Sequence, residues 1–75
     1  MKKVINYLNE KSIDYEKVGK KVYLRKTLLN GDEVELRISR LPGMSNDKYY
    51  IRFIGFIETC DYNRVIENIE EFWSL

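Results

Sequence analysis

Val22-Tyr23-Leu24-Arg25-Lys26-Thr27-Leu28-Leu29-Asn30-Gly31-Asp32-Glu33-Val34-Glu35-Leu36-Arg37-Ile38 reads as two strands joined by a tight turn. Val22, Leu24 and Leu28 share one face with Lys26, while Tyr23, Arg25 and Thr27 share the other. In the second strand, Glu33 to Leu41, the residues Val34, Leu36 and Ile38 alternate with Glu33, Glu35, Arg37 and Ser39. Asn30-Gly31 marks the turn, and the alternation selects its register. A two-residue loop would set Leu24 against Arg37 and mix the faces. A three-residue loop, Leu29-Asn30-Gly31, pairs Val22 with Ile38 and Leu24 with Leu36, and puts Gly31 in the left-handed position of a bulge. Arg25 then faces Glu35, and Tyr23 faces Arg37.

Downstream, Leu41-Pro42-Gly43-Met44-Ser45-Asn46-Asp47 reads as a loop leading into a third strand, Lys48 to Ile57. Pairing Ile51 with Leu36 would put Tyr49 against Ile38 and Phe53 against Val34. Arg52 would sit beside Glu35, and Tyr50 beside Arg37. Gly55 within that strand reads as a bulge or close contact. Upstream, Ser12 to Lys20 is ambiguous: Tyr15 to Val18 forms either a fourth strand at the edge or a segment lying on the core.

Both ends are helical. Over Lys2 to Lys11 the residues Val4, Ile5 and Leu8 make a stripe flanked by Tyr7. Over Asp61 to Trp73 the stripe is Tyr62, Val65, Ile66, Ile69, Phe72 and Trp73, opposite Glu67, Asn68, Glu70 and Glu71. Thr59 or Asp61 can cap its start. The fold class is therefore α+β: a two-layer αβββα sandwich, a three-stranded antiparallel meander with two helices packed on one face, forming a single domain over residues 1–75.

That element order resembles double-stranded-RNA-binding domains and the small HicA-type toxins. The resemblance is one of order alone. The RNA-binding domains carry a lysine cluster where the last helix begins, and this chain reads Thr59-Cys60-Asp61-Tyr62-Asn63-Arg64 there. The toxins use a catalytic histidine, and this chain has none. Neither activity carries over.

Composition narrows the chemistry. The chain has 75 residues, no histidine and one cysteine, Cys60, so no internal disulfide can form. Without imidazole, the commonest general base is missing, and the expectation is a protein that is not an enzyme and uses no cofactor or metal. Four isolated glycines offer no phosphate-cradling loop. No secretory signal is visible, and no apolar stretch is long enough to span a bilayer, so the expected location is cytoplasmic. Lys, Asn, Ile and Tyr are abundant while Ala and Gln are absent; this bias toward AT-rich codons suggests an AT-rich bacterium, phage or mobile element.

The net charge is +1, but Met1 to Arg52 carries 12 basic and 7 acidic residues, whereas Phe53 to Leu75 carries 1 and 5. Two surfaces follow. The acidic side groups Glu58, Asp61, Glu67, Glu70 and Glu71. Together with Ile54 and Phe56, read as an apolar patch on the outer sheet face, it suggests a small protein-binding module. Such a module would be an inhibitor or regulator of a host protein, of the anti-defence type, with homodimerisation through the outer sheet face as a further option. The basic side groups Lys17, Lys20, Lys21, Arg25 and Lys26, with Tyr23 and Tyr50 as stacking platforms, and suggests nucleic-acid binding as the alternative.

Overall fold

In the computed structural model, residues 1–41, 43–45 and 47–75 are described; Pro42 and Asn46 of the expected connecting loop lie outside the described residues. The elements run α1 (Lys2–Glu10), β1 (Glu16–Val18), β2 (Lys21–Thr27), β3 (Glu33–Ser39), β4 (Tyr49–Phe53), β5 (Phe56–Cys60) and α2 (Tyr62–Trp73). The strands form one antiparallel sheet in chain order, β1-β2-β3-β4-β5. The class is α+β, but the sheet has five strands, not three.

The central hairpin has the register set by its side-chain alternation. Val22 pairs with Ile38, Leu24 with Leu36, Arg25 with Glu35 and Tyr23 with Arg37. The Leu28 amide donates to the Asp32 carbonyl at 2.7 Å, closing a three-residue loop, and Gly31 sits at φ 90°. Only glycine takes that conformation without a Cβ penalty.

Two strands extend the sheet beyond the expected three: one settles the alternative left open for Tyr15 to Val18, and the other corrects the expected third strand. Glu16–Val18 pairs with β2 as an edge strand, across a two-residue Gly19-Lys20 turn. The stretch expected as one strand, Lys48 to Ile57, folds back on itself. Ile54 and Gly55 both have positive φ, 42° and 79°, and make the two-residue turn of a β4–β5 hairpin. This turn geometry matches the right-handed twist of the flanking strands. Gly55 is thus a turn residue rather than a bulge, and the turn ends β4 at Phe53.

The β3–β4 register also differs from the expected one, by two residues. Phe53 pairs with Leu36, Ile51 with Ile38, Arg52 with Arg37 and Tyr50 with Ser39. A two-residue shift preserves side-chain parity, so the apolar set still faces inward. It does change every neighbour on the other face.

The core joins Val4 and Leu8 of α1, Val22, Leu24, Leu36, Ile38, Tyr49, Ile51, Phe53 and Cys60 of the sheet, and Val65, Ile69 and Phe72 of α2. Phe53 meets Phe72 edge-on at 5.9 Å between ring centroids. Lys3 Nζ lies 4.3 Å from the Tyr62 ring centroid, linking the helices.

On α2 the buried stripe is rotated from the expected one. Asn68, expected to face water, is 0% exposed, and Trp73 is 38% exposed. Val65, Asn68, Ile69 and Phe72 recur at helical spacing on the buried side. The Asp61 side chain caps α2, accepting from the Arg64 amide at 3.0 Å. Lys26, on the apolar face of β2, donates to the Trp73 carbonyl at 2.8 Å and also to the Leu75 carbonyl. Its charge lies at the negative end of the helix dipole.

Candidate interaction surface

The acidic residues singled out from the sequence do not form one open face. Glu58 accepts from Arg64 Nε at 2.9 Å, Glu67 accepts from Arg64 Nη1 at 3.3 Å, and Asp61 is the helix cap. Three of the five therefore converge on Arg64, whose guanidinium is held more firmly protonated by the Glu58 bond first and the Glu67 bond after it. Glu70 and Glu71 lie exposed near the end of α2.

Ile54 and Phe56 do not share the outer face of the sheet, contrary to expectation. Ile54 is in the turn. Phe56 pairs with Phe53, which puts it on the helix side, with ring centroids 6.2 Å apart. Their exposures are 61% and 40%, and Ile57, which does face outward beside Arg52, is 55% exposed. Exposed apolar side chains therefore project from both faces of β5 and from the turn that begins it.

The two sheet edges differ in kind. β1 has three residues, and its outward ion pair with Arg25 at 2.7 Å uses Glu16. A short, charged edge resists pairing with another chain. β5 has five residues and contains no lysine, arginine or proline; its one charge, Glu58, is turned inward onto Arg64. A two-residue turn closes on a hydrogen-bonded pair, here Phe53 and Phe56, so the backbone groups of Ile57 and Thr59 point away from β4. They form an unguarded edge.

The basic residues are divided as well. Arg25 spans Glu16 and Glu35, at 2.7 and 3.1 Å, with its guanidinium 5.1 Å from the Tyr23 ring centroid. These bonds, Glu16 first, raise its pKa further. Lys26 is held at the end of α2. Lys21 is exposed on the outer face, opposite Ser39. Lys17 and Lys20 join Arg40 around a concavity of about 410 Å³ next to Met1, Gly19, Leu41, Gly43 and Met44. Burial, then the charges of Arg40, Lys17 and Lys20, lower the pKa of the Met1 ammonium. Arg40 also donates to the Ser45 carbonyl at 2.7 Å and lies over Tyr49.

The sequence reading missed one feature, the pairing of Arg37 with Arg52 directly across β3 and β4. Tyr23 flanks Arg37 on β2, and Tyr50 stands two residues from Arg52 along β4. Arg37 Nε is buried and has no hydrogen-bond partner. Among the described residues, neither guanidinium has a carboxylate within ion-pair distance. Only the correct β3–β4 register would have revealed the pair.

Cys60 is buried on the helix side. Burial first, then Glu58 and Asp61, push its thiol up to about 11. A protonated, enclosed thiol is a packing group, not a nucleophile. Among the described residues, no three His, Cys, Asp or Glu side chains gather as metal ligands, and no helix is long and apolar enough to cross a membrane. Set beside known proteins, the chain matches no family, no curated protein and no solved structure.

Proposed function

We propose that this chain is a non-enzymatic protein-binding module that takes up an extended segment of its partner along β5. The observation that carries this reading is the unguarded edge. Ile57 and Thr59 present backbone donors and acceptors, and Ile54, Phe56 and Ile57 supply apolar contact at the same place. In such strand addition, main-chain bonds provide affinity and alternate side chains provide selectivity. The turn adds support. Ile54 is β-branched and sits at φ 42°, a conformation that asparagine or glycine takes far more readily. Strain kept at an exposed apolar residue is characteristic of a binding position.

The module proposed is a cytoplasmic inhibitor or regulator of a host protein; the abundance of residues with AT-rich codons supports only its origin in an AT-rich bacterium, phage or mobile element. The basic residues of the alternative reading, Lys17, Lys20, Lys21, Arg25 and Lys26, are spread over three places and partly committed to carboxylates and carbonyls, so nucleic-acid binding has the weaker support.

Affinity capture from an AT-rich bacterial host tests the proposal, with three baits: the natural chain, Ile57→Lys, and a Glu70→Lys/Glu71→Lys double variant. The expected result is one protein enriched by the natural chain and the double variant, and lost with Ile57→Lys. Enrichment that survives Ile57→Lys and disappears with the double variant moves the interface to α2. No enrichment at any salt concentration refutes protein binding.

A further inference from the structure

We propose that Arg37 and Arg52 form a binding site for one phosphate group of a small molecule on the outer face of the sheet. Directly opposed like charges destabilise a strand pair, and residues at this position have Cβ atoms roughly 5 Å apart. A single tetrahedral oxyanion can therefore accept from both guanidiniums at once. Arginine presents a planar fork of donors suited to this geometry.

Three observations point to a bound anion rather than an incidental pairing. The two residues are direct cross-strand partners on β3 and β4, inside the sheet rather than at either edge. Arg37 Nε is a buried donor with no acceptor, and such a donor is costly unless something accepts from it. Two carboxylates of the same face, Glu16 and Glu35, bond to Arg25, at 2.7 and 3.1 Å, and among the described residues none lies within ion-pair distance of Arg37 or Arg52.

The surroundings also limit the size of the ligand. Glu33, Glu35 and Glu16 lie on the same face, and Glu33 and Glu35 border the same shallow concavity as Arg52. A nucleic-acid backbone crossing the sheet would bring its successive phosphates against them. One phosphate on the Arg37 side of Arg52 avoids them, with Tyr50 and Lys21 in the adjoining row to receive the rest of a small ligand.

The test is a titration of the folded chain with inorganic phosphate at constant ionic strength, followed by the NMR signals of the arginine Nε–H groups. The expected result is a saturable shift at Arg37 and Arg52, with affinity reduced about tenfold or more in Arg52→Gln, which removes charge-assisted bonds from an exposed position. Lys20→Gln should leave the affinity unchanged. A linear, unsaturated response, or shifts centred on Lys17, Lys20 and Arg40, overturns the proposal. A thymidine oligonucleotide serves as the second probe. If it binds more tightly than phosphate and weakens steeply with salt, the face reads nucleic acid and the small-ligand assignment is wrong.

Discussion

Replacing Asn68 by leucine should make the protein more stable. Asn68 is 0% exposed and occupies a core position of α2 beside Val65, Ile69 and Phe72. Its Nδ2 donates to the Arg64 carbonyl at 2.9 Å, but its Oδ1 is buried without a partner. An orphaned buried acceptor costs about 1–3 kcal/mol, and the bond forfeited by the change contributes about 1 kcal/mol. The Arg64 carbonyl keeps the helical position in which it can accept from the Asn68 amide, so it is not orphaned in turn. Leucine has the same branched heavy-atom skeleton as asparagine, which limits overpacking, and it is the better helix former by a few tenths of a kcal/mol. The net gain is about 0.3–2 kcal/mol, equivalent to a rise in Tm of roughly 1–16 °C for a domain of this size. Urea denaturation followed by circular dichroism measures it, with an unchanged slope confirming that the folded state is the one affected. A matched Asn68→Asp variant, which buries a charge, should lose several kcal/mol. A leucine variant no more stable than the natural chain would refute the reasoning, because Oδ1 would then have a partner or the site would need a polar group.

Other substitutions probe the remaining elements. Leu36→Ala empties a fully buried position at the centre of the sheet and should cost about 2–5 kcal/mol; a loss under 1 kcal/mol in the same denaturation assay would contradict the core described. Ile54→Asn relieves a strained turn and should raise stability by about 1 kcal/mol, while weakening capture of the partner. If both quantities fall together, Ile54 is there for folding alone. Cys60, with its thiol at about 11 against an ordinary value of 9.0, should resist labelling at pH 8 in the folded chain and react readily in denaturant, because its thiolate fraction is about one in a thousand. The folded-state pKa is raised, so this group's stabilising contribution is fully present below about 9 and is lost as the pH rises toward 11. A stability curve flat across that window would show the thiol to be more open than described.

The central hairpin was legible because its two strands constrain each other: Leu24 can meet Leu36 only through a three-residue loop, and Gly31 fits the position that loop requires. The β4–β5 hairpin was hidden because its turn begins with Ile54, a residue that ordinarily prefers a strand. Lys48 to Ile57 therefore read as one continuous strand, with the β3–β4 register two residues away from the one observed. The expected neighbours of Arg37 and Arg52 changed with it, which is why their juxtaposition was invisible in the sequence. Asn68 misled for a different reason. Polarity normally marks the wet side of a helix, and Trp73 looked the better core residue, yet the end of α2 turns Trp73 outward beside Lys26, at 5.5 Å from its ring centroid. The acidic residues lie close together in sequence, but Arg64, the single base among them, gathers three, and of the five only Glu70 and Glu71 remain on the open helix surface.

The order of the strands in space is also their order along the chain, so each ribbon can zip onto the one made just before it, with little entropy lost in closing loops. The first helix is the exception. Its core neighbours include α2, which follows the whole sheet along the chain, so the packing of residues 2–10 is complete only once α2 has formed. Formation of the sheet should therefore precede docking of α1, and the slowest event in folding should be the meeting of α1 and α2 across it.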